Sequence, residues 1–440
     1  MRLLNERGAS VLDAFLKSET LEAFRCNIVE TRPAGNLAVE HPKVWFPSYP
    51  YEWPAEMLYA AAELTLDLAV RLLQEGWGLK DATPYNILFE GPRPIFVDVC
   101  SFERRDPHDS IWFAYGQFVR TFLNPLIAHR RLRFPLDALL LANRDGIESG
   151  QLYAWTSWIN RWFNPALLTS VTLPALLDHR AAKSRPTSPP PMKRSSTSTD
   201  PEQTAWVMDR LIAGLRRKLK AVRPSSGSME SRWTGYMQTF TYSQEQFELK
   251  SSFVTEALIG VQPKRTLDVG CNTGYFSKMA AECGSRVIAI DRDPAVVGQL
   301  WIEASKDNLD IQPLIADFAR PTPATGWRNA ECSSFLDRAD NAFDLVLLLG
   351  TLHHLTVTDR IPMLEVLAQA ARVASHAVIE YVGPEDEMFR FLARGNEALY
   401  ADYTIEAFEE AARRHFEIVR SAQAPGSSRR LYLLRRRRSS

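Results

Sequence analysis

Leu267-Asp268-Val269-Gly270-Cys271-Asn272-Thr273-Gly274, followed after a helical stretch by Val287-Ile288-Ala289-Ile290-Asp291, decides the fold of the C-terminal half. The first run reads as a buried strand running into a glycine-punctuated turn. The second reads as a buried strand that ends in an acid. That second acid stands 23 residues after the first. A strand–turn–helix–strand unit of this kind lets backbone approach a nucleoside and sets a carboxylate for its ribose hydroxyls.

The spacing separates two cofactor classes. A pyrophosphate binder uses G-x-G-x-x-G, so that phosphate meets a helix N-terminus. Here the glycines are Gly270 and Gly274, Asn272 lies between them, and Asp268 guards the mouth of the turn. A carboxylate there would repel a diphosphate and suits a cofactor that carries an ammonium and a sulfonium. S-adenosylmethionine is therefore favoured over a dinucleotide. Asn272 can stand where glycine often does, because Asn tolerates left-handed backbone. An ordinary ligand-free turn would share the glycine spacing, so the later strands matter. Ile311–Phe318 reads as a strand ending at Asp317. Phe343–Gly350 is a nearly unbroken apolar run, suited to a central parallel strand, and it runs into Thr351-Leu352-His353-His354. Ala377–Val382 follows, with Glu380 near its end. Ligands of open parallel sheets sit beyond the strands' carboxyl ends, so Asp268, Asp291, Asp317, His353 and Glu380 are expected on one rim.

With these motifs, residues from about 240 to 436 resemble a class I S-adenosylmethionine-dependent methyltransferase. The resemblance implies an α/β fold, a Rossmann-like doubly wound seven-stranded sheet closed by an antiparallel hairpin of Phe416–Val419 and Leu431–Leu434. It implies that Asp268, Gly270 and Gly274, with Asn272 in the same loop, line the methionine end of the cofactor. Asp291 would bind the ribose, Asp317 and Phe318 the adenine, while Gly350 and Thr351 would border the substrate side. Methyl transfer from a sulfonium asks a protein to align nucleophile and methyl and, for a hydroxyl or amine, to remove a proton. His353 and His354 are the candidate bases, since histidine titrates near neutrality. The alternative is that one caps the next helix and the other packs. Asp344 is expected to start its strand rather than react.

Arg232–Tyr236 and Phe240–Ser243 precede a helix expected over about Gln244–Leu258, and their aromatics could stack on a cofactor or cover the sheet edge. Glu385–Asp402, with Phe389, Phe391 and Tyr400, reads as an inserted substrate cap.

The chain has 440 residues, with 52 Lys plus Arg against 52 Asp plus Glu. That balance gives no global pull toward nucleic acid or anionic membrane. Five cysteines without metal or C-x-x-C spacing suit a reducing compartment, and no run is apolar enough for a membrane helix. A cytoplasmic protein that takes a small-molecule or saccharide substrate, without membrane and with no dedicated metal, is expected. Nucleic acid stays open as a partner, since some wobble-uridine tRNA-modifying enzymes have a similar sheet domain. Three segments are expected: an accessory domain over 1–181, a Pro/Ser-rich linker over 182–203, and the methyltransferase domain over 204–440. A helix over about Thr204–Val222 should turn Trp206, Leu211, Leu215 and Leu219 to one side. Its Arg216-Arg217-Lys218-Leu219-Lys220 cluster reads as a solvated face, with phosphate or RNA contact the alternative.

In the first segment, Pro54–Leu73 has helical periodicity with Leu58, Ala61, Leu68 and Leu72 on one face. A loop, Lys80–Asn86, leads into a short hairpin followed by Asp98. This stretch resembles the catalytic region of kinase-like phosphotransferases: Asp81 and Asn86 match D-x-x-x-x-N, and Asp98 falls where the metal-binding acid follows. The resemblance implies a mostly α (α+β) kinase-like domain. If that half were active, the chain would be bifunctional, and Asn86 and Asp98 would hold magnesium. No glycine-rich phosphate loop precedes the motif. The two-part arrangement is also similar to nodulation-associated methyltransferase-like proteins, which implies modification of a saccharide or small secreted metabolite.

Overall fold

The computed structural model describes residues 2–35, 37–163, 167–177, 200–224 and 243–437. The chain divides into two compact units, Met1–Ser226 and Gly227–Ser440.

In the second unit seven strands form one sheet: β1 (Arg265–Val269), β2 (Arg286–Asp291), β3 (Ile311–Ile315), β4 (Phe343–Leu348), β5 (Ala374–Tyr381), β6 (Phe416–Gln423) and β7 (Arg430–Arg436). Their order is β3-β2-β1-β4-β5-β7-β6. The first five run parallel, whereas β7 is antiparallel to both β5 and β6. The strand order reverses between β1 and β4, which is where open α/β sheets form a crevice. Helices α1 (Gln244–Val261), α2 (Tyr275–Glu282) and α3 (Pro294–Asp307) share a core with Leu345 and Leu347 of β4. Val346 and Leu348 are also fully buried and point the other way by strand alternation. Covering on both faces explains why β4 is an unbroken apolar run. On the rest of the sheet, α4 (Phe335–Ala339) precedes β4, α5 (Met363–Val373) packs on β5, α6 (Glu387–Ala393) follows β5, and α7 (Ile405–His415) packs on β6.

The expected α/β, Rossmann-like sheet with its closing hairpin is present. Asp344 does start its strand: its carboxylate accepts the Lys264 and Arg265 N–H groups at 2.9 and 3.0 Å. The basic stretch near the C-terminus is no loose tail up to Arg437. Arg435 pairs with Glu417, and Arg437 donates to the Phe416 carbonyl.

The first unit is mostly helical. Its longest early helix, Ala55–Gln74, buries Leu58, Ala61, Leu68 and Leu72 as its periodicity requires. Strand Trp77–Leu79 pairs antiparallel with Phe102–Arg104, and Ile87–Glu90 forms a hairpin with Arg93–Phe96. A three-stranded sheet of Arg2–Leu3, Ala38–Glu40 and Arg32–Pro33 completes its strands among the described residues. The helix Pro201–Ala221 starts inside the stretch read as linker, because Asp200 caps it through the Glu202 N–H and Pro201 occupies its first turn. It packs on the first unit rather than the second: Arg216 pairs with Asp67 of Ala55–Gln74 at 2.6 Å. Its buried stripe is Thr204, Met208, Ile212, Leu215 and Leu219, so Trp206 points outward, 59% exposed. The remainder of the linker, 182–199, and the aromatic segment before Ser243 lie outside the described residues.

Gly274 and Gly284 separate backbone strain from crowding. Both have positive φ, +78° and +88°. A Cβ at Gly274 would lie 2.3 Å from Leu300 Cδ1, whereas one at Gly284 would meet nothing within 4 Å. Gly284→Ala is expected to cost about 1–2 kcal/mol, the left-handed penalty alone. Gly274→Ala should add about 1–3 kcal/mol for overpacking. Urea unfolding of both variants measures the difference, and equal losses would refute the steric account.

Candidate functional site

The turn after β1 is built from three left-handed residues, Gly270, Asn272 and Gly274, at φ +73°, +50° and +78°. This curls the chain so that the Gly270 and Cys271 N–H groups both donate to the Ile290 carbonyl at 2.8 and 3.0 Å. The Asn272 N–H donates to Asp291 Oδ2 at 3.0 Å, and Asp291 Oδ1 accepts the Asp293 N–H at 3.0 Å. A Cβ on Gly270 would lie 3.0 Å from Thr351 Oγ1, whose hydroxyl donates to the Val269 carbonyl at 2.9 Å. The ends of β1, β2 and β4 are thus held within hydrogen-bonding reach.

Asp268 is buried at the end of β1, where the Ser277 hydroxyl donates to it at 2.6 Å. Burial pushes its pKa up to about 6, with the Asp291 charge adding to the rise against the Ser277 bond. Burial also raises the pKa of Asp291. A buried and a partly buried carboxylate at the ends of two neighbouring strands make a place that a cation would relieve. At the end of β3 the Ala316 N–H reaches the Asp291 carbonyl at 3.1 Å, which brings Asp317 and the half-buried Phe318 alongside. Asp317 accepts from Arg320 and lies 3.5 Å from Arg292 Nε. Both arginines also pair with the buried carboxylate of Asp359.

The β4 end carries Gly350, at φ +70°, and then a widened π-type turn, His354–Thr358. Turns of that type are frequent at functional sites. His353 is 2% exposed, and neither ring nitrogen has a hydrogen-bond partner among the described residues. Burial, then the neighbouring His354 and Arg429, hold its pKa well below the ordinary histidine value. The rings of His353 and His354 lie 4.3 Å apart, and burial lowers the pKa of His354 too. His353 thus has two open ring nitrogens in surroundings that disfavour its charged form.

Beside it lies a buried ion cluster, of which the sequence reading named only Glu380, as an acid of the rim. Lys250 Nζ on α1 donates to Glu380 Oε2 at 2.7 Å, while Arg429 bonds Glu380 at 3.3 Å and Asp386 at 2.7 Å. Asp386 also caps α6 through the Met388 N–H. A further signal was Lys250, a cation on the stripe of α1 that buries Phe253, Val254 and Ala257. Arg429, in the turn between β6 and β7, gave no signal. The insertion after β5 folds over the π-type turn: Tyr400 donates to the Val357 carbonyl, and Phe389 packs between Tyr400 and Tyr403.

In the first unit, Asn86 Nδ2 donates to Ser101 Oγ at 3.3 Å and to the Asp81 carbonyl at 3.4 Å, and Ser101 donates to Asp98 at 2.5 Å. Asn86 and Asp98 are therefore brought together through Ser101, while the Asp81 side chain faces solvent. Among the described residues no group of three or more His, Cys, Asp or Glu side chains is arranged to hold a metal ion. No described helix is long and apolar enough to cross a membrane.

The model of the methyltransferase domain family matches residues 267–379. The chain is 32% identical over 406 residues to the nodulation protein NoeA of Rhizobium meliloti (strain 1021), covering 91% of this chain and 83% of the relative. It is 24% identical over 198 residues to the ubiquinone biosynthesis O-methyltransferase of Vibrio atlanticus (strain LGP32), which covers 44% of this chain and 73% of that enzyme. Among solved structures, the N-methyltransferase NodS from Bradyrhizobium japonicum WM9 in complex with S-adenosyl-l-homocysteine aligns at 15% identity with a TM-score of 0.33, covering 51% of this chain and 97% of NodS.

The buried cluster gives a stability test. Glu380→Gln leaves Lys250 and Arg429 against Asp386 alone and is expected to cost about 3–5 kcal/mol, the scale for breaking a buried pair. Arg435→Ala removes an exposed pair with Glu417 and should cost no more than about 1 kcal/mol. Chemical denaturation of the two variants checks the contrast.

Proposed function

We propose the acceptor class and the site roles from an established premise: the chain belongs to the family of the nodulation protein NoeA and is a class I S-adenosylmethionine-dependent methyltransferase. The acceptor is a small molecule or saccharide, and the first unit is an accessory domain that helps present it. The name of the NoeA relative supports this reading, since nodulation-associated methyltransferase-like proteins suggest a saccharide or secreted metabolite. What supports the site assignment is that the left-handed loop, the carboxylates of Asp268 and Asp291 and the histidine with open nitrogens stand at the ends of β1, β2 and β4.

The residues fit the cofactor. Asp268, Gly270, Asn272 and Gly274 would hold the methionine end, where the raised pKa of Asp268 marks a carboxylate awaiting a cation. Asp291 would take the ribose, Asp317 and Phe318 the adenine, and Gly350 would border the methyl. When bound, the cofactor supplies an activated methyl group. The protein's own part is to align the acceptor, keep water out under the 385–402 insertion and receive a proton. His353, neutral and unpartnered, receives the acceptor's proton, with His354 beside it as the route outward. The first unit has a kinase-like loop in which Asn86 and Asp98 bond through Ser101, and we assign it a recognition role rather than phosphotransfer.

Isothermal titration with S-adenosylmethionine tests the reading. Asp291→Ala should weaken binding by roughly 10–100-fold, the weight of hydrogen bonds to a charged group. Wild-type protein that fails to bind would overturn the assignment. Binding should also follow the ionisation of Asp268. Above its pKa the carboxylate is charged and complements the cofactor's ammonium. As pH falls through about 6 the carboxyl protonates, and affinity should drop by up to about tenfold per pH unit. Asp268→Asn should flatten that dependence. His353→Asn should leave cofactor binding intact and slow methylation about 10²–10⁴-fold. Transfer of labelled methyl from the cofactor to a cell extract reads the rate and identifies the acceptor. Magnesium-dependent nucleotide binding that disappears in Asp98→Ala would instead make the chain bifunctional.

A further inference from the structure

The basic run Arg216–Lys220 reads from sequence as a solvated helix face, and packing divides it. Arg216 turns to Asp67, and Leu219 is buried. Arg217 and Lys218 face a cavity of about 370 Å³ that Arg131 also borders. Ile127, Leu167 and Val222 give this cavity an apolar wall, and no acidic side chain lines it. The carbonyl end of helix Pro201–Ala221 accounts for part of the charge: Arg131 donates to the Ala221 carbonyl at 3.2 Å. It does not account for Arg217, which lies a turn back and has no ion-pair partner among the described residues. Lys218 reaches only the Thr169 carbonyl, at 3.4 Å, and its partial burial pulls its pKa down. An anion in the cavity would offset that cost.

The surface beside the cavity has a matching character. The π-type turn Leu168–Thr172 borders the cavity through Thr169 and Ser170. Thr172 donates to the Arg161 carbonyl at 2.9 Å, which ties that turn to helix Trp158–Phe163. On this helix Trp158, Ile159 and Trp162 are 67, 54 and 51% exposed. Phe134, three residues after Arg131, packs on the partly exposed Trp155 with ring centroids 5.2 Å apart. Cations and exposed indoles thus stand on adjoining elements of the first unit. Indoles favour the boundary between lipid and water, and basic residues favour an anionic leaflet.

We propose that this face docks on an anionic lipid surface. Arg131, Arg217 and Lys218 take a headgroup phosphate, and Trp158, Ile159 and Trp162 enter the interfacial layer. A nucleic acid would offer phosphate too, but the apolar wall behind the cations and Ile159 among the indoles suit an amphiphile. The balance of 52 cationic and 52 acidic residues does not report such a face, because it averages over the whole chain.

Flotation of the full chain with phosphatidylcholine vesicles, with and without phosphatidylglycerol, tests this. Binding should require phosphatidylglycerol, weaken with salt and shift tryptophan emission to the blue. The pair Arg217→Gln and Lys218→Gln should weaken binding roughly 30-fold, the weight of two basic residues at a charged surface. The charge-keeping pair Arg217→Lys and Lys218→Arg should retain it, and Trp158→Ser with Trp162→Ser should lose both binding and the emission shift. Matched thermal melts by circular dichroism show that each variant is folded. Equal binding to neutral vesicles, or undiminished binding by the glutamine pair, would overturn the proposal. So would displacement from vesicles by millimolar inorganic phosphate, which marks a site for a free anion. Binding of homopolymer RNA in place of vesicles would overturn it as well.

Discussion

The hydrogen bond from the Asn272 N–H to the Asp291 carboxylate is the constraint on which the C-terminal site rests. It forms only because Gly270, Asn272 and Gly274 all take left-handed backbone within one short turn. Two glycines and an asparagine are the residues that reach this geometry at least cost. Once the turn is curled, the end of β1 sits against the end of β2, and Thr351 closes on it from β4. Strand order reverses at this point, where open α/β sheets form a crevice, and the acids stand at the strand ends.

A second constraint binds the rim from behind. Lys250, Glu380, Arg429 and Asp386 form a buried set with equal numbers of positive and negative groups. Such a set survives in dry surroundings only while all its members stay in place. It joins α1, the end of β5, the cap of α6 and the turn between β6 and β7, which are four separate parts of the chain. His353 stands beside it without a hydrogen bond, and an unsatisfied buried group is rare enough to call for a functional account. The proposed proton transfer provides one, since a neutral imidazole with an open nitrogen is the form that accepts a proton.

Much of the second unit was legible in advance. Apolar runs bounded by acids and glycines marked β1 to β5, because a parallel sheet covered on both faces needs continuous apolar strands. The loop residues were legible because left-handed backbone leaves a compositional trace. Helix Pro201–Ala221 was legible as a helix and illegible in its partner. Trp206 seemed a natural anchor for an apolar face, yet the buried stripe runs through Met208 and Ile212, and the helix joins the first unit. Amphipathic periodicity says that one face is buried and cannot say against what. In the first unit, the sequence around Asp81, Asn86 and Asp98 read as a helix, a loop and a hairpin, and the strand Trp77–Leu79 before the loop was not foreseen. The Ser101 hydroxyl that links Asn86 to Asp98 was not foreseen.

By itself the amino-acid sequence determined the class of sheet, the loop geometry and the positions of the acids along the chain. Each of these follows from local rules of period, backbone freedom and spacing. Only the tertiary structure decided which charges meet. Lys250 and Glu380 stand 130 residues apart, and Arg429 comes 49 residues later still. The same holds for Arg131, Arg217 and Lys218, which border one cavity only because the end of helix Pro201–Ala221 is brought to Arg131. Long-range pairing of polar groups depends on how strands and helices stack, and no short window of sequence carries that information.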